Sequence, residues 1–132
     1  MSNRIPIDQY VKNINNLLSK HQYASALWYS RLLMDVFLNL ALIYSAKSEK
    51  QKKEYLKFFN DVERQDEKLH EMIHILKKPK NIYDKRPKMG NSIRNWRRLE
   101  RGTLPINVWG KAATNAKFDL ISLGGFINSR LL

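Results

Sequence analysis

Between residues 7 and 78 the chain contains neither glycine nor proline. These two residue types are the strongest interrupters of regular structure, so their absence over such a length favours long helices. All five glycines lie at or beyond Gly90, and three of the four prolines lie at or beyond Pro79. We therefore predict a helical N-terminal part, residues 1–78, and a C-terminal part, residues 79–132, in which the regular structure is interrupted more often. The two parts are expected to pack together as one domain.

The N-terminal part is predicted to contain three helices. The first is amphipathic and runs from about Pro6 to Lys20. The second, from about Gln22 to Lys47, is apolar on nearly every side, which is typical of a helix at the centre of a bundle. The third begins at Ser48, and its apolar residues recur every seven positions: Tyr55, Val62, Leu69 and Leu76. This spacing predicts a packed antiparallel helix and a three-helix N-terminal bundle.

The C-terminal part is predicted to contain a basic connector and two shorter helices. The connector runs from Pro79 to Gly90 and is extended around its prolines. A helix capped by Asn91 or Ser92 then ends at Gly102, and we call it the arginine helix. A last helix starts near Pro105 and is closed by the glycine pair at 124–125. Its apolar face comprises Trp109, Ala112, Ala113, Ala116 and Leu120. No segment alternates as a strand does, so the predicted fold is all-α.

Composition excludes several classes of function. The chain has no cysteine, which rules out disulfides, thiolate metal sites and thiol nucleophiles. The N-terminus lacks the charged head and apolar run of a signal peptide, so we expect a soluble, intracellular protein. The most apolar stretch, residues 23–46, contains Arg31 and Asp35, and a membrane would penalise both. We therefore predict a core helix in which these two residues, one turn apart, pair with each other or with neighbouring helices as a structural ion pair.

Positive charge is concentrated in one segment. Between Lys77 and Arg101 the chain places ten basic residues against two acidic ones, a net +8 of the whole protein's +12. Such a block destabilises a compact protein through self-repulsion. Its presence therefore indicates a polyanionic partner.

The arginine helix carries the most regular part of this charge. Its arginines follow the spacing i, i+3, i+4, i+7, which stacks them on one side of the helix: Arg94, Arg97, Arg98 and Arg101. A different face, with Ile93, Trp96 and Leu99, is suited to dock on the bundle. The connector and its flank extend the patch with further cations and one stacking aromatic: Lys77, Lys78, Lys80, Tyr83, Lys85, Arg86 and Lys88.

A guanidinium group binds phosphate through two parallel hydrogen bonds, so arginines in this pattern favour nucleic acid. We predict a non-enzymatic nucleic-acid-binding protein that contacts mainly backbone phosphates, as a subunit of a ribonucleoprotein or viral assembly would. The sequence does not distinguish RNA from DNA. The alternative is an interaction protein, such as an inhibitor or assembly subunit, whose basic face binds an acidic protein.

An enzymatic alternative comes from residues 70–74, which read H-E-x-x-H. This motif resembles that of zincin metalloproteases, and the resemblance implies zinc binding by His70 and His74 with water activated by Glu71. No strand is predicted before the motif, and no third ligand is evident, so we expect no metal or cofactor. Arg64 with His70 also matches the loose pattern of helical ribonucleases of the HEPN type.

Overall fold

The computed structural model describes residues 5–45, 48–50, 53 and 89–131, and the regular structure in these residues is entirely helical. Glu49, Lys50 and Lys53 are helical. The helices with defined bounds are α1 (Ile7–Ser19), α2 (Tyr23–Ser45), α3 (Gly90–Glu100), a short 3-10 helix (Ile106–Val108) and α4 (Trp109–Leu131). For the described part of the chain, the all-α prediction is confirmed.

The first two helices form a tight helical hairpin. Both observed helices begin and end within two residues of the predicted bounds. The chain reverses at His21, which has a φ of 56°. There the amide groups of His21 and Gln22 donate to the carbonyls of Leu18 and Leu17, both at 3.0 Å. These bonds satisfy carbonyl groups that the end of α1 would otherwise leave without partners.

The core lies mainly between α2 and α4, and α1 packs against both helices. Three of the buried residues of α4 are alanines. The buried residues of these three helices include Ile14, Ala26, Leu27, Met34, Phe37, Ala112, Ala113, Ala116, Leu120, Leu123 and Ile127. Four of the five residues on the predicted apolar face of the last helix are therefore buried, and Trp109 is half-buried.

The predicted end of the last helix is wrong. The glycine pair at 124–125 lies inside α4, which continues to Leu131. With 23 residues α4 is as long as α2, so it is not a shorter helix. Gly124 is buried against Ile7 of α1 and Phe37 of α2. This packing outweighs the weak helix propensity of glycine.

The predicted start of the arginine helix also needs correction. This helix is α3, and it begins at Gly90 with Met89 in the N-cap position, where no side chain caps it. Asn91 and Ser92 therefore lie within the helix. The predicted third helix beyond Lys53, the boundary at residue 78 and the connector before Met89 lie outside the described residues.

Within the described ranges, none of the helices is both long enough and apolar enough to cross a membrane.

Candidate functional site

The inner face of α3 is anchored on α2. Trp96 is completely buried (0% exposed), and Ile93 is buried beside it. The indole Nε1 of Trp96 donates to Oγ of Ser30 at 3.0 Å, and this hydroxyl donates to the carbonyl of Leu27 at 2.7 Å. A buried indole with a satisfied N–H fixes both the depth and the rotation of the helix.

A charged contact joins the same two helices. Nη1 of Arg31 donates to Oδ2 of Asp35 at 2.8 Å, which confirms the predicted ion pair. Nε of Arg31 also lies 3.0 Å from Oε1 of Glu100, close enough for an ion pair, although it does not have hydrogen-bond geometry. Glu100, the one acidic residue of α3, is therefore paired with Arg31 of α2.

On its other side α3 is joined to α4. The hydroxyl of Ser92, which is fully buried, donates to the carboxylate of Asp119. Burial raises the pKa of Asp119 above its ordinary value, and the hydrogen bond from Ser92 partly offsets this rise. The contact shows why Ser92 does not cap the helix, since its side chain is engaged between helices.

These contacts turn the arginines outward. Arg94, Arg98 and Arg101 are exposed, whereas Arg97 is half-buried. Successive residues of a helix are rotated by 100°, and this places Arg97 toward the flank that carries Ile93. Three of the four predicted phosphate-binding arginines, Arg94 and Arg98 on α3 and Arg101 at its C-cap, are therefore on the exposed side.

Two of them, Arg94 and Arg98, line an open pocket of about 240 Å³ between α3 and α4. The described lining combines cations, carboxamides and apolar side chains, and none of these residues is acidic: Asn91, Arg94, Asn95, Arg98, Leu104, Val108, Lys111, Ala112 and Asn115. The polarity of the lining increases toward solvent: its buried members, Leu104 and Ala112, are apolar, and its exposed members are polar. The pocket therefore has an apolar base, and its cations lie at the exposed rim.

The loop after α3 shapes this pocket. Gly102 has a φ of +70°, a left-handed conformation that glycine adopts without strain. Its amide donates to the carbonyl of Leu99 at 3.1 Å, and the amide of Thr103 donates to the carbonyl of Arg98 at 2.8 Å. This pair of bonds is the Schellman arrangement that ends many helices. It reverses the chain so that Leu104 turns back against the helices.

The start of α4 holds the same loop. Nε1 of Trp109 donates to the carbonyl of Leu104 at 3.0 Å. Pro105 follows with extended backbone and leads into the 3-10 helix. The apolar part of the pocket is therefore held by hydrogen bonds on both sides of the loop.

Of the nine described residues that line this pocket, the sequence pattern predicts only Arg94 and Arg98 as site residues. Lys111, Asn95 and Asn115 are not among the predicted site residues, and Asn91 is predicted only as a helix cap. A signal existed, because Asn91 and Asn95 are four residues apart, as are Lys111 and Asn115. Each pair therefore lies on one face of its helix. That the two faces meet is a property of the packing of α3 on α4.

The remaining predicted residues lie outside the described part of the chain. These are the connector residues and the enzymatic candidates: Lys77, Lys78, Lys80, Tyr83, Lys85, Arg86, Lys88, Arg64, His70, Glu71 and His74. Among the residues that the structure does describe, no three histidine or acidic side chains are grouped as metal ligands would be.

Comparison with known proteins gives no relationship: no family model, curated protein or solved structure matches this chain.

Proposed function

We propose that this protein binds nucleic acid without catalysing a reaction, mainly through contacts to backbone phosphates. The supporting observation is a group of three exposed arginines, Arg94 and Arg98 on α3 and Arg101 at its C-cap. The first two line a pocket whose described lining contains no acidic residue. Lys111 adds a cation from α4. Binding to phosphates would also account for a net charge of +12, which is costly for an isolated protein. A role as a subunit of a ribonucleoprotein or viral assembly is part of this proposal.

Rigidity supports the same function. The arginines are carried by a helix that is anchored on α2 through Trp96 and on α4 through Ser92. Cations held on such a helix lose less freedom on binding than cations on a mobile tail. Arginines held at a defined spacing can then bind phosphate groups that are regularly spaced along a nucleic-acid strand.

The test is binding of labelled single-stranded RNA, duplex RNA and duplex DNA across a salt series. For the wild-type protein we expect log affinity to fall linearly with log salt between about 50 and about 200 mM. Arg94→Glu combined with Arg98→Glu should weaken binding to all three, by about tenfold or more, and make the slope shallower by about two. The matched control is Lys12→Glu combined with Lys20→Glu, which reverses two exposed cations associated with α1.

The control variant should lose much less affinity than the arginine variant, and both should keep the helical circular dichroism of the wild type. Equal losses in the two variants would mean that net charge acts without a defined site. Absence of binding at low salt would overturn the proposal in favour of an acidic protein partner. The ranking of the three ligands would decide between RNA and DNA.

We also propose that the predicted third helix completes the N-terminal bundle. The support is a row of exposed apolar residues on α2 at the spacing i, i+4, i+8: Trp28, Leu32 and Val36. The predicted helix has an apolar stripe of its own and begins at Ser48, three residues after α2 ends at Ser45. Apolar faces of two consecutive helices are ordinarily buried against each other.

A further inference from the structure

The pocket between α3 and α4 contains more than a phosphate site requires. Phosphate oxygens only accept hydrogen bonds, so cations and N–H groups satisfy them. This lining also supplies three carboxamides, each with two donors and an acceptor: Asn91, Asn95 and Asn115. Beneath them lie apolar residues, two of which are buried. A ligand that uses all of these surfaces must have an apolar face and a polar edge besides its negative charge.

A nucleotide has this combination of properties. The face of its base is apolar, the edge carries hydrogen-bond donors and acceptors, and the phosphate is anionic. Asparagine is well suited to the edge, because its carboxamide can donate and accept at adjacent positions, as it does with adenine. Arg94, Arg98 and Lys111 lie at the exposed part of the same pocket, where neighbouring phosphates would be.

The size of the pocket restricts the ligand further. Its volume of about 240 Å³ is below the roughly 300–1,000 Å³ of pockets that enclose drug-sized molecules. A single base is small enough to enter a pocket of this size, whereas a stacked duplex is not. In a duplex the face of each base is covered by its neighbours, so only an unstacked base can present its face to Leu104 and Ala112.

We infer that this pocket takes one unstacked base of a single strand. The carboxamides bind the edge of the base, the apolar residues cover its face, and Arg94, Arg98 and Lys111 bind the adjoining phosphates. This inference rests on the proposed function and adds to it a ligand class, single-stranded nucleic acid. It also implies that single strands bind more tightly than duplexes with the same phosphates.

The test separates the base from the phosphates. A short single strand is compared with the same strand carrying abasic positions at its centre, which keeps every phosphate and removes the bases. The wild-type protein should bind the intact strand about fivefold or more tightly than the abasic strand, as expected for one net buried hydrogen bond. Both DNA and RNA strands are measured, at one salt concentration and then across a salt series.

The pocket variant is Asn95→Leu combined with Asn115→Leu, which replaces two carboxamides by branched apolar groups with the same number of non-hydrogen atoms and favours helix. It should bind the intact strand only as well as the abasic strand, with an unchanged salt slope. The matched control is Asn16→Leu, an exposed asparagine on α1, and it should keep the preference for the intact strand. Helical circular dichroism checks the fold of each variant.

The outcomes distinguish this inference from the function on which it rests. Equal binding of intact and abasic strands by the wild type would overturn the base pocket and leave phosphate binding standing. A preference that survives in the Asn95→Leu, Asn115→Leu variant would place the base elsewhere on the protein and would also overturn the inference. No binding of either strand would overturn the proposed function itself.

Discussion

At the scale of single residues, Gly124 shows how a helix-weakening residue can serve packing. A Cβ added there would lie 2.9 Å from Cγ1 and Cδ1 of Ile7 and 3.2 Å from Cε2 of Phe37. Gly125, the next residue, has no such neighbour within 4 Å. The two glycines lie in the same helix, but Gly124 is buried and Gly125 is exposed. The same substitution at the two positions therefore separates the effect of packing from that of helix propensity.

We expect Gly124→Ala to lower the free energy of unfolding by about 1–3 kcal/mol, the usual cost of overpacking a core. Gly125→Ala should raise it by about 0.5–1 kcal/mol, because alanine is the better helix former and meets open space. Urea denaturation of the two variants measures both effects. A change of the same sign in both would contradict the packing of α1 and α2 against α4 described above.

At the scale of elements, α3 is held from two directions. Trp96 and Glu100 contact Ser30 and Arg31 of α2, while Ser92 contacts α4. The helix is only 11 residues long, and isolated helices of that length are marginal in water. Its stability, and with it the position of the arginines, therefore depends on these contacts.

The contact with α4 leads to a prediction about pH. Because the pKa of Asp119 in the folded protein is raised above the ordinary 3.8, the folded protein holds a proton that the unfolded chain has released between these two values. Stability therefore falls as pH rises through that window, and the loss persists above it. Asp119→Asn removes this titration.

The free energy of unfolding of Asp119→Asn, relative to the wild type, should therefore be higher at about pH 7 than at about pH 3. Urea denaturation at both pH values measures the difference, since urea itself carries no charge. A relative stability that falls between pH 3 and pH 7 would show that the folded protein stabilises the charged carboxylate instead, in conflict with its burial.

At the scale of the whole molecule, the net charge is concentrated in one half of the chain, whereas the hydrophobic core is formed by both halves. Residues 78–132 hold 12 basic and 3 acidic groups, a net +9, whereas residues 1–77 hold 12 and 9, a net +3. The core is nevertheless shared, because α4 from the basic half packs against both α1 and α2 from the other half. In addition, the side chain of Asn128 bonds both backbone groups of Ile5, at 2.7 and 3.2 Å. The helices that carry the basic surface, α3 and α4, therefore pack on helices from the other half of the chain.

The proposed N-terminal bundle is tested at this scale by substitution of Leu32, whose exposed fraction in the structure is 58%. If the predicted third helix covers the apolar row on α2, Leu32→Asp should lower the free energy of unfolding by about 2 kcal/mol or more, because it buries an unpaired charge. The matched control is Phe118→Asp on α4, where the exposed fraction is 57%.

For the control we expect a change within about 0.5 kcal/mol, as for most surface substitutions. Chemical denaturation measures both variants. An equally small effect of Leu32→Asp would show that the row on α2 faces solvent, and the bundle proposed for the N-terminal part would then be wrong.

The features that the sequence determined by itself are those that depend on neighbours along the chain. Helical periodicity located α1 and α2 to within two residues, and a spacing of four predicted the ion pair of Arg31 with Asp35. The same periodicity placed Arg94 and Arg98 on one exposed face. A helix repeats every 3.6 residues, so contacts of this kind are already present in the order of the amino acids.

The features that join distant segments depend on tertiary packing and are not predictable from local sequence. Gly124 lies inside a helix because it packs on Ile7, although glycine pairs commonly mark helix ends. Asn95 and Asn115 line one pocket because α3 folds back on α4, and neither helix alone contains that pocket. Helix propensities of residues other than proline differ by about 1 kcal/mol or less, whereas burial of a side chain contributes about 1.5–3 kcal/mol. Where helix propensity and long-range packing conflict, packing prevails, and a local sequence pattern does not predict it.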